Sequence, residues 1–312
     1  MTELQALRDA YRQHKAALLA SLQAQGASTR GIHVLLRKFS RLADGLLTTL
    51  WQRAGLPPGL ALAAVGGFGR EQLFPHSDID VLVLLPTDLP APDTVREQVE
   101  AFIRSCWDAG LEIGSSVRSV EECLSEAAND VTVQTSLLEA RRVCGDAALF
   151  ARFEHQFGAQ LDPHAFLVAK TLEMRQRHTK HENTPYALEP NCKESPGGLR
   201  DLHLILWVAR AAGLGKRWDE LAHSGLATPY EVRQIQRNEA LLFLIRARLH
   251  AMAGRREDRL VFDLQTAVAE SFGYRSQTPE GARFPLRASE TLMRRYYWAA
   301  KAVTQLSQIL LL

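Results

Sequence analysis

Two aspartates separated by one residue, Asp78 and Asp80, are the side chains of this sequence best suited to chemistry. They open an apolar run that ends before Pro86, which predicts a strand buried on both faces. Since successive side chains on a strand point to opposite faces, the two carboxylates should project from the same side. Like charges held this close are costly unless a cation neutralises them, so the pattern predicts a site for Mg²⁺ or Mn²⁺.

A glycine pair precedes the aspartates and ends a shorter apolar run over residues 61–65. Gly66 and Gly67 can adopt positive φ, and they let backbone N–H groups approach a phosphate with no Cβ in the way. A helix beginning at Phe68 would turn its first amides towards the same ligand. Glycines for phosphates and aspartates for a divalent cation together indicate a nucleotidyl-transfer site.

Two other interpretations of this stretch are weaker. Gly67 and Gly69 fit the start of a dinucleotide-binding G-x-G-x-x-G motif, but position 72 is Gln and no acidic residue follows at the required distance, so we reject it. A tight turn before an Asp-rich strand start could also be purely structural. The glycine pair and the two apolar runs favour the functional interpretation, and we add Arg70 and Ser77 as candidate nucleotide-binding residues.

A third carboxylate completes many metal sites of this kind, either as a ligand or as the acceptor of a hydroxyl proton. Residues 111–118 alternate between apolar and polar, which predicts a half-exposed strand whose polar face could join the metal site. That face carries Glu112, Gly114, Ser116 and Arg118. Glu112 opens its strand as Asp78 does, so it is our candidate catalytic residue and metal ligand, with an edge-strand Glu facing water as the alternative. Glu139 is the second candidate, although a helix-surface ion pair with a nearby Arg is its more ordinary role.

A long, proline-punctuated loop over residues 183–201 interrupts a helical pattern, and such loops inside compact domains are disproportionately functional. Gly197 and Gly198 open the next helical pattern, with Lys193 and Arg200 on either side. A glycine-opened helix start flanked by cations suits a triphosphate or an acceptor group. An ordinary loop with solvated charges explains the composition equally well.

Two further clusters are predicted to be structural. His178 and His181 have the spacing of metal ligands on a helix, but they lack the Glu partner of such motifs. The basic residues between Arg246 and Arg259 alternate with Glu257 and Asp258, which predicts a solvated helix end.

Several of these segments resemble known enzymes. The glycine pair followed by Ser77-Asp78-Ile79-Asp80 resembles the signature of the DNA polymerase β-like nucleotidyltransferase superfamily. The segment AVGGFGREQLFPHSDID at residues 64–80 further resembles the corresponding segment of the bacterial uridylyltransferases that modify the PII nitrogen-signalling protein. The same family is matched by the blocks LEPNCK (188–193), GGLRD (197–201), GRREDRLVFD (254–263) and MRRYY (293–297).

The resemblance implies an activity: transfer of UMP from UTP to a tyrosine hydroxyl of PII, with release of pyrophosphate, by two-metal catalysis. It implies that Lys193, Arg200 and Asp201 lie near the catalytic cleft, without fixing their roles. Family members continue into a metal-dependent phosphohydrolase domain and sensor domains. No His-Asp dipeptide occurs in this sequence, and it ends on an amphipathic segment without a polar tail. We therefore expect a fragment or a shortened homologue, with the transferase part but without the phosphohydrolase and sensor domains.

The helix and strand patterns around these residues predict an α+β protein. We expect N-terminal helices over residues 1–56, a polymerase β-like nucleotidyltransferase domain with a small mixed sheet over 57–145, and an all-helical domain over 146–312.

Composition narrows the functional classes. The 312 residues are 46% hydrophobic, and Lys plus Arg number 37 against 35 for Asp plus Glu, a net charge of +2 that disfavours a nucleic-acid partner. Four widely spaced cysteines and the absence of a signal-like N-terminus or a long apolar run predict a cytoplasmic protein with reduced thiols and no membrane segment.

Two other functions remain compatible with the sequence. A protein adenylyltransferase of the same superfamily would use ATP with the same aspartates. A catalytically idle module could bind a nucleotide only to sense it.

Overall fold

The computed structural model describes residues 3–24, 28–88, 92–278 and 285–311. Contacts divide the chain into two compact units. The first contains the described residues up to Leu18 and Val34–Leu161, and the second contains Leu19–His33 and the residues from Asp162 onwards. The domain limits predicted from the sequence, near residues 56 and 145, stay predictions.

The first unit is built on a small mixed sheet. Its strands are β1 (Ala61–Ala64), β2 (Ile79–Leu85), β3 (Ile113–Ser119) and β4 (Arg141–Gly145), in the order β3-β2-β1-β4. β2 and β3 are parallel, whereas β1 pairs antiparallel with both β2 and β4. Every residue of β1 and the middle of β2 is buried, as their continuous apolar runs predict for central strands.

Thirteen helices lie in the described residues. They are α1 (Glu3–Ala24), α2 (Ile32–Arg53), α3 (Gly66–Gly69), α4 (Pro92–Asp108), α5 (Val120–Asn129), α6 (Val131–Leu138), α7 (Ala147–Gln160), α8 (Pro163–Lys180), α9 (Leu199–Ala211), α10 (Trp218–His223), α11 (Pro229–Ala253), α12 (Phe262–Ser271) and α13 (Ala288–Leu310).

The helix starts show why these segments are helical. Ser119 and Glu122 form a capping box at α5, and Thr228 and Glu231 form another at α11. Asp130 caps α6 by accepting a hydrogen bond from Thr132 N at 2.6 Å. Each cap supplies a partner to amides that a helix start otherwise leaves without one.

Apolar spacing predicts a helix over residues 93–109 with Trp107 on its buried side, and it places Val117 on the apolar face of the strand over residues 111–118. Both predicted core positions are wrong. α4 buries Val95, Val99, Phe102 and Cys106, a spacing of three or four residues, while Trp107 is 54% exposed. On β3, Val117 is 40% exposed although it alternates with apolar neighbours, because β3 is an edge strand.

The second unit is all helical in the described residues, and its largest buried side chains include Phe166, Phe243, Phe272 and Tyr296. A small mixed sheet in one unit and helices in the other confirm the predicted α+β class. Within the described part of the chain, every helix is too short or too polar to cross a membrane. The cytoplasmic location stays a prediction.

Candidate active site

Asp78 and Asp80 lie at the start of β2, on the exposed side of the strand. Ile79, between them, is buried, so the two carboxylates share one face as the alternation predicts. The backbone around them is held on both sides: Val65 N donates to Asp80 O at 3.0 Å, and Ile79 N donates to Glu112 O at 2.9 Å. The two aspartates therefore begin a strand that is paired with β1 and β3.

Asp80 lies between two glycines, one on each neighbouring segment. Gly114 is its direct partner in the parallel pairing, and a Cβ at Gly114 would lie 2.7 Å from Asp80 Oδ1. On the other side, a Cβ at Gly66 would lie 3.6 Å from Asp80 Oδ2. The absence of a side chain at these positions leaves room for the carboxylate and for whatever it binds.

The glycine turn forms the short helix α3, which begins at Gly66 rather than at Phe68. Gly66 has φ of +56°, a conformation that favours glycine. The first hydrogen bond that closes this turn comes from Gly69 N to Val65 O, at 3.0 Å. The N–H groups of Gly66, Gly67 and Phe68 have no acceptor within the helix, so they could donate to a phosphate. Ser77, in the next turn, donates its own N–H to Phe74 O.

Arg70 directs its guanidinium towards the protein. It forms an ion pair with Glu139, and its Nε donates to Gln72 Oε1 at 2.8 Å. Glu139 caps the end of α6 and is 3% exposed, so the predicted pair with an arginine is present but buried, not on the helix surface. The nucleotide contact of Arg70 stays a prediction.

Glu112 directly precedes β3 and is exposed. Its charge acts on α1, where it contributes, after burial, to raising the pKa of Tyr11 to about 12. It also opposes the effect of burial, which lowers the pKa of Lys15. Within the described residues, no three His, Cys, Asp or Glu side chains are close enough together to hold a metal ion. The structure therefore does not bring Glu112 together with both aspartates, and its catalytic role stays a prediction.

A pocket of about 280 Å³ opens beside Asp80 on the β3 side. Gly114, Ser116 and Arg118 contribute its strand wall, which is the polar face that the alternation predicted. Val133 and Leu137 of α6 contribute an apolar wall. Sequence reasoning missed these α6 residues, because their apolar character resembles that of any core helix.

In the second unit, Asp201 is fully buried and anchors the loop that precedes α9. Its carboxylate accepts hydrogen bonds from Arg177 Nη2 at 2.7 Å and from Gly197 N at 2.7 Å, and it contacts His178 Nε2 at 3.0 Å. Although burial raises the pKa of Asp201, these partners hold it below its usual value. A direct nucleotide contact by Asp201 stays a prediction, and the geometry gives it a structural role.

The start of α9 uses its amides inside the same loop. Leu199 N donates to Cys192 O at 3.0 Å, Arg200 N donates to Lys193 O at 2.9 Å, and Gly198 N donates to Ser195 O at 2.8 Å. A nucleotide contact through the backbone of Gly197 or Gly198, which stays a prediction, would require another arrangement of this loop.

A second acid, the half-buried Asp258, ties the loop to α11. Arg246 Nε donates to Asp258 Oδ1 at 2.6 Å, His250 Nε2 lies 3.0 Å from the same oxygen, and Cys192 N donates to Asp258 O. Arg246 and Arg248 are 7% and 2% exposed, so the prediction of a solvated basic helix end is wrong for them. The half-buried carboxylate of Asp258 compensates the charge of Arg246.

Lys193, Glu194 and Arg200 form a half-buried charged group on this loop. Glu194 Oε1 lies 3.1 Å from Arg200 Nη2 and 3.6 Å from Lys193 Nζ. Burial lowers the pKa of Lys193, and the charges of Arg246 and Arg200 lower it further. A concentration of positive charge of this kind suits an anionic ligand.

The donor set at Asp78 and Asp80 fits a divalent cation. Mg²⁺ is held in many enzymes by one or two carboxylates together with substrate phosphates, and it does not need a complete protein cage. Two exposed carboxylates on one strand face, beside glycines that leave space at Asp80, meet that requirement.

Comparisons with known proteins agree with this geometry. Residues 165–311 match the family model described as GlnD PII-uridylyltransferase. The chain is 60% identical over 295 residues to a bifunctional uridylyltransferase/uridylyl-removing enzyme of Burkholderia mallei (strain ATCC 23344), covering 95% of this chain and 33% of that protein. It is 59% identical, with the same coverage, to the enzyme of that name from Burkholderia pseudomallei (strain K96243).

The chain thus spans about a third of the length of the curated relatives that it matches. The match extends over nearly all of the present sequence, and it includes the glycine turn, both aspartates and the loop before α9 within one continuous similarity. The chain is therefore similar, over nearly its whole length, to part of the bifunctional uridylyltransferase/uridylyl-removing enzymes.

Proposed function

We propose that this chain transfers UMP from UTP to a tyrosine hydroxyl of the PII signalling protein and releases pyrophosphate. The observation that carries the proposal is the position of Asp80 between Gly66 and Gly114, next to the first amides of α3. Carboxylates that could hold a cation and amides that could donate to phosphates then lie at the same end of the sheet, where β1 ends and β2 begins. The names of the relatives support uridylyl transfer.

In the proposed step, the acceptor oxygen forms a bond to the α-phosphorus of UTP. The bond from that phosphorus to the oxygen bridging it to the β-phosphorus breaks, and pyrophosphate leaves with the electron pair. The hydroxyl proton passes to water. The attacking and leaving oxygens must lie roughly in line with the phosphorus, so they are on opposite sides of it.

Asp78 and Asp80 would hold two divalent cations, which we propose to be Mg²⁺ or Mn²⁺. When bound, such a cation lowers the pKa of the attacking hydroxyl and neutralises charge on the phosphate oxygens. Gly66 and Gly67 would donate backbone N–H groups to the triphosphate, and Ser77 would add a hydroxyl. The nucleotide contacts expected of Lys193 and Arg200 from the resemblance stay predictions.

The experiment that tests this proposal incubates the chain with PII protein, Mg²⁺ and either UTP or ATP, followed by intact-mass measurement of PII. We expect a UMP-sized increment with UTP and a much slower reaction with ATP. An AMP-sized increment would identify a protein adenylyltransferase instead. No increment with either nucleotide, from a folded chain that still binds UTP, would indicate a module that only senses it.

A further inference from the structure

The pocket between β3 and α6 has no role in the step described so far, although it opens directly at Asp80. It belongs entirely to the first unit, and its walls differ in chemistry: Ser116 and Arg118 on the strand, Val133 and Leu137 on the helix. A pocket of mixed character beside a reactive carboxylate suits a side chain that has an apolar body and one polar end.

The two oxygens of Asp80 face different neighbours. Oδ2 is the carboxylate atom nearest to Gly66 and the glycine turn, while Oδ1 is the one nearest to Gly114 on β3. If the triphosphate binds at the glycine turn, the pyrophosphate leaves on that side. In-line displacement then requires the attacking oxygen to arrive from the β3 side, where the pocket lies.

We propose that this pocket is the acceptor subsite, where a hydroxyl-bearing aromatic side chain of the acceptor protein enters to reach Asp80 Oδ1; the inference rests on the proposed function. The apolar walls contact the ring, and the hydroxyl lies at the carboxylate. Since a cavity of about 150 Å³ can bind benzene, about 280 Å³ is enough for a phenol side chain.

Arg118 is the positioning residue of this subsite. It is half-buried at the wall of the pocket, and its Nη2 lies 3.5 Å from Glu126 Oε2 of α5. Arginine has five N–H donors, so this weak pair leaves donors for carbonyl or carboxylate oxygens of the acceptor segment. Its contribution should appear in binding of the acceptor and not in binding of the nucleotide.

Val133→Trp tests the pocket directly, because the indole would fill it. We expect kcat/KM for PII to fall at least about tenfold, because a misplaced acceptor is costly, while KM for UTP stays unchanged. Thr132→Trp is the matched control, since Thr132 is the exposed neighbour on α6 and does not line the pocket. This control should transfer UMP at the wild-type rate, and thermal melting would show that both variants are folded.

Arg118→Gln adds no bulk and keeps the test informative if Val133→Trp fails to fold. We expect KM for PII to rise about tenfold, the value of one charge-assisted hydrogen bond, with KM for UTP unchanged. Glu126→Gln breaks the same ion pair outside the pocket and should leave both constants unchanged. If Glu126→Gln raises KM for PII as much as Arg118→Gln does, Arg118 has a structural role and is not the positioning residue of the subsite.

The remaining outcomes separate the two proposals. Transfer with wild-type kinetics by folded Val133→Trp and Arg118→Gln would overturn the acceptor subsite and leave uridylyl transfer intact. A raised KM for UTP would assign the pocket to the nucleotide, which also overturns the inference. If the wild-type chain and Thr132→Trp add no UMP to PII, the proposed function fails, and the subsite fails with it.

Discussion

At the scale of single residues, the site depends on a missing side chain as much as on the two carboxylates. Gly114 faces Asp80 across the β2–β3 pairing, and a Cβ there would overlap Asp80 Oδ1. The carboxylate is the end of a short, rotatable side chain, so it can move aside without disturbing the strand. A substitution at Gly114 should therefore affect chemistry much more than folding.

We predict that Gly114→Ala lowers the rate of UMP transfer by about 10- to 100-fold, because displacement of a reacting group by about 1 Å can cost that much. The free energy of unfolding should change by less than about 1 kcal/mol. Gly45→Ala is the matched control: Gly45 is exposed on α2 and an added Cβ meets nothing. It should keep full activity and gain about 0.5–1 kcal/mol of stability. Equal rates for both variants would contradict the account of Gly114.

The sequence was enough to predict which residues form the site, but not all of the residues with which they form ion pairs and hydrogen bonds. The period of a strand is enough to place Asp78 and Asp80 on one face, and the same argument placed Gly114, Ser116 and Arg118 on the polar face of β3. The burial of Glu139 with Arg70 could not be predicted, because it depends on the packing of the end of α6 against the glycine turn. Charge and spacing alone make such a pair look like a surface contact.

At the scale of elements, local signals were sufficient where a few neighbouring residues decide the outcome. The capping boxes at Ser119 and Thr228 were predictable, since the cap and its partner are three residues apart. The buried face of α4 was predicted one position away, with Trp107 in place of Cys106. Helical spacing allows either residue, and only the shape of the neighbouring elements excludes the larger one.

The loop before α9 is an element whose shape depends on a backbone contact. Gly197 has φ of +77°, and a Cβ there would overlap the backbone of Ala300 in α13. Gly213 has φ of +71° but open space around it.

We predict that Gly197→Ala lowers the free energy of unfolding by at least about 2 kcal/mol more than Gly213→Ala does, since only the former adds a steric overlap to the strain of positive φ. Urea denaturation of both variants measures this difference. Similar losses of free energy of unfolding in the two variants would mean that the loop can move away from Ala300 at little cost, which would contradict the prediction.

At the scale of the whole molecule, stability should depend on pH through a buried histidine. His250 is fully buried, and burial lowers its pKa from the usual 6.5, even though Asp258 acts in the opposite direction. As the pH falls below 6.5, His250 is therefore protonated more readily in the unfolded chain than in the folded chain, and the folded chain loses stability. Asp201 and Asp258 have lowered pKa values, so their contribution is lost only in more acidic solution.

We predict that the free energy of unfolding falls between pH 7.5 and 5.5, with a contribution from His250 of up to about 1.4 kcal/mol per pH unit. His250→Gln can still donate a hydrogen bond towards Asp258 but cannot titrate. It should be less stable at pH 7.5 and show a shallower pH dependence in urea denaturation. An unchanged slope would mean that His250 is not the group responsible.

The central claim is that Asp80, between the glycine turn and Gly114, makes this chain a uridylyltransferase. The most direct measurement is the mass of PII after incubation with UTP and Mg²⁺, comparing wild type with Asp80→Asn and with Asp108→Asn, an exposed aspartate at the end of α4. We predict a UMP-sized increment with wild type and Asp108→Asn, and a rate lower by about 10²–10⁴-fold with folded Asp80→Asn. Transfer by Asp80→Asn at the wild-type rate would contradict the account.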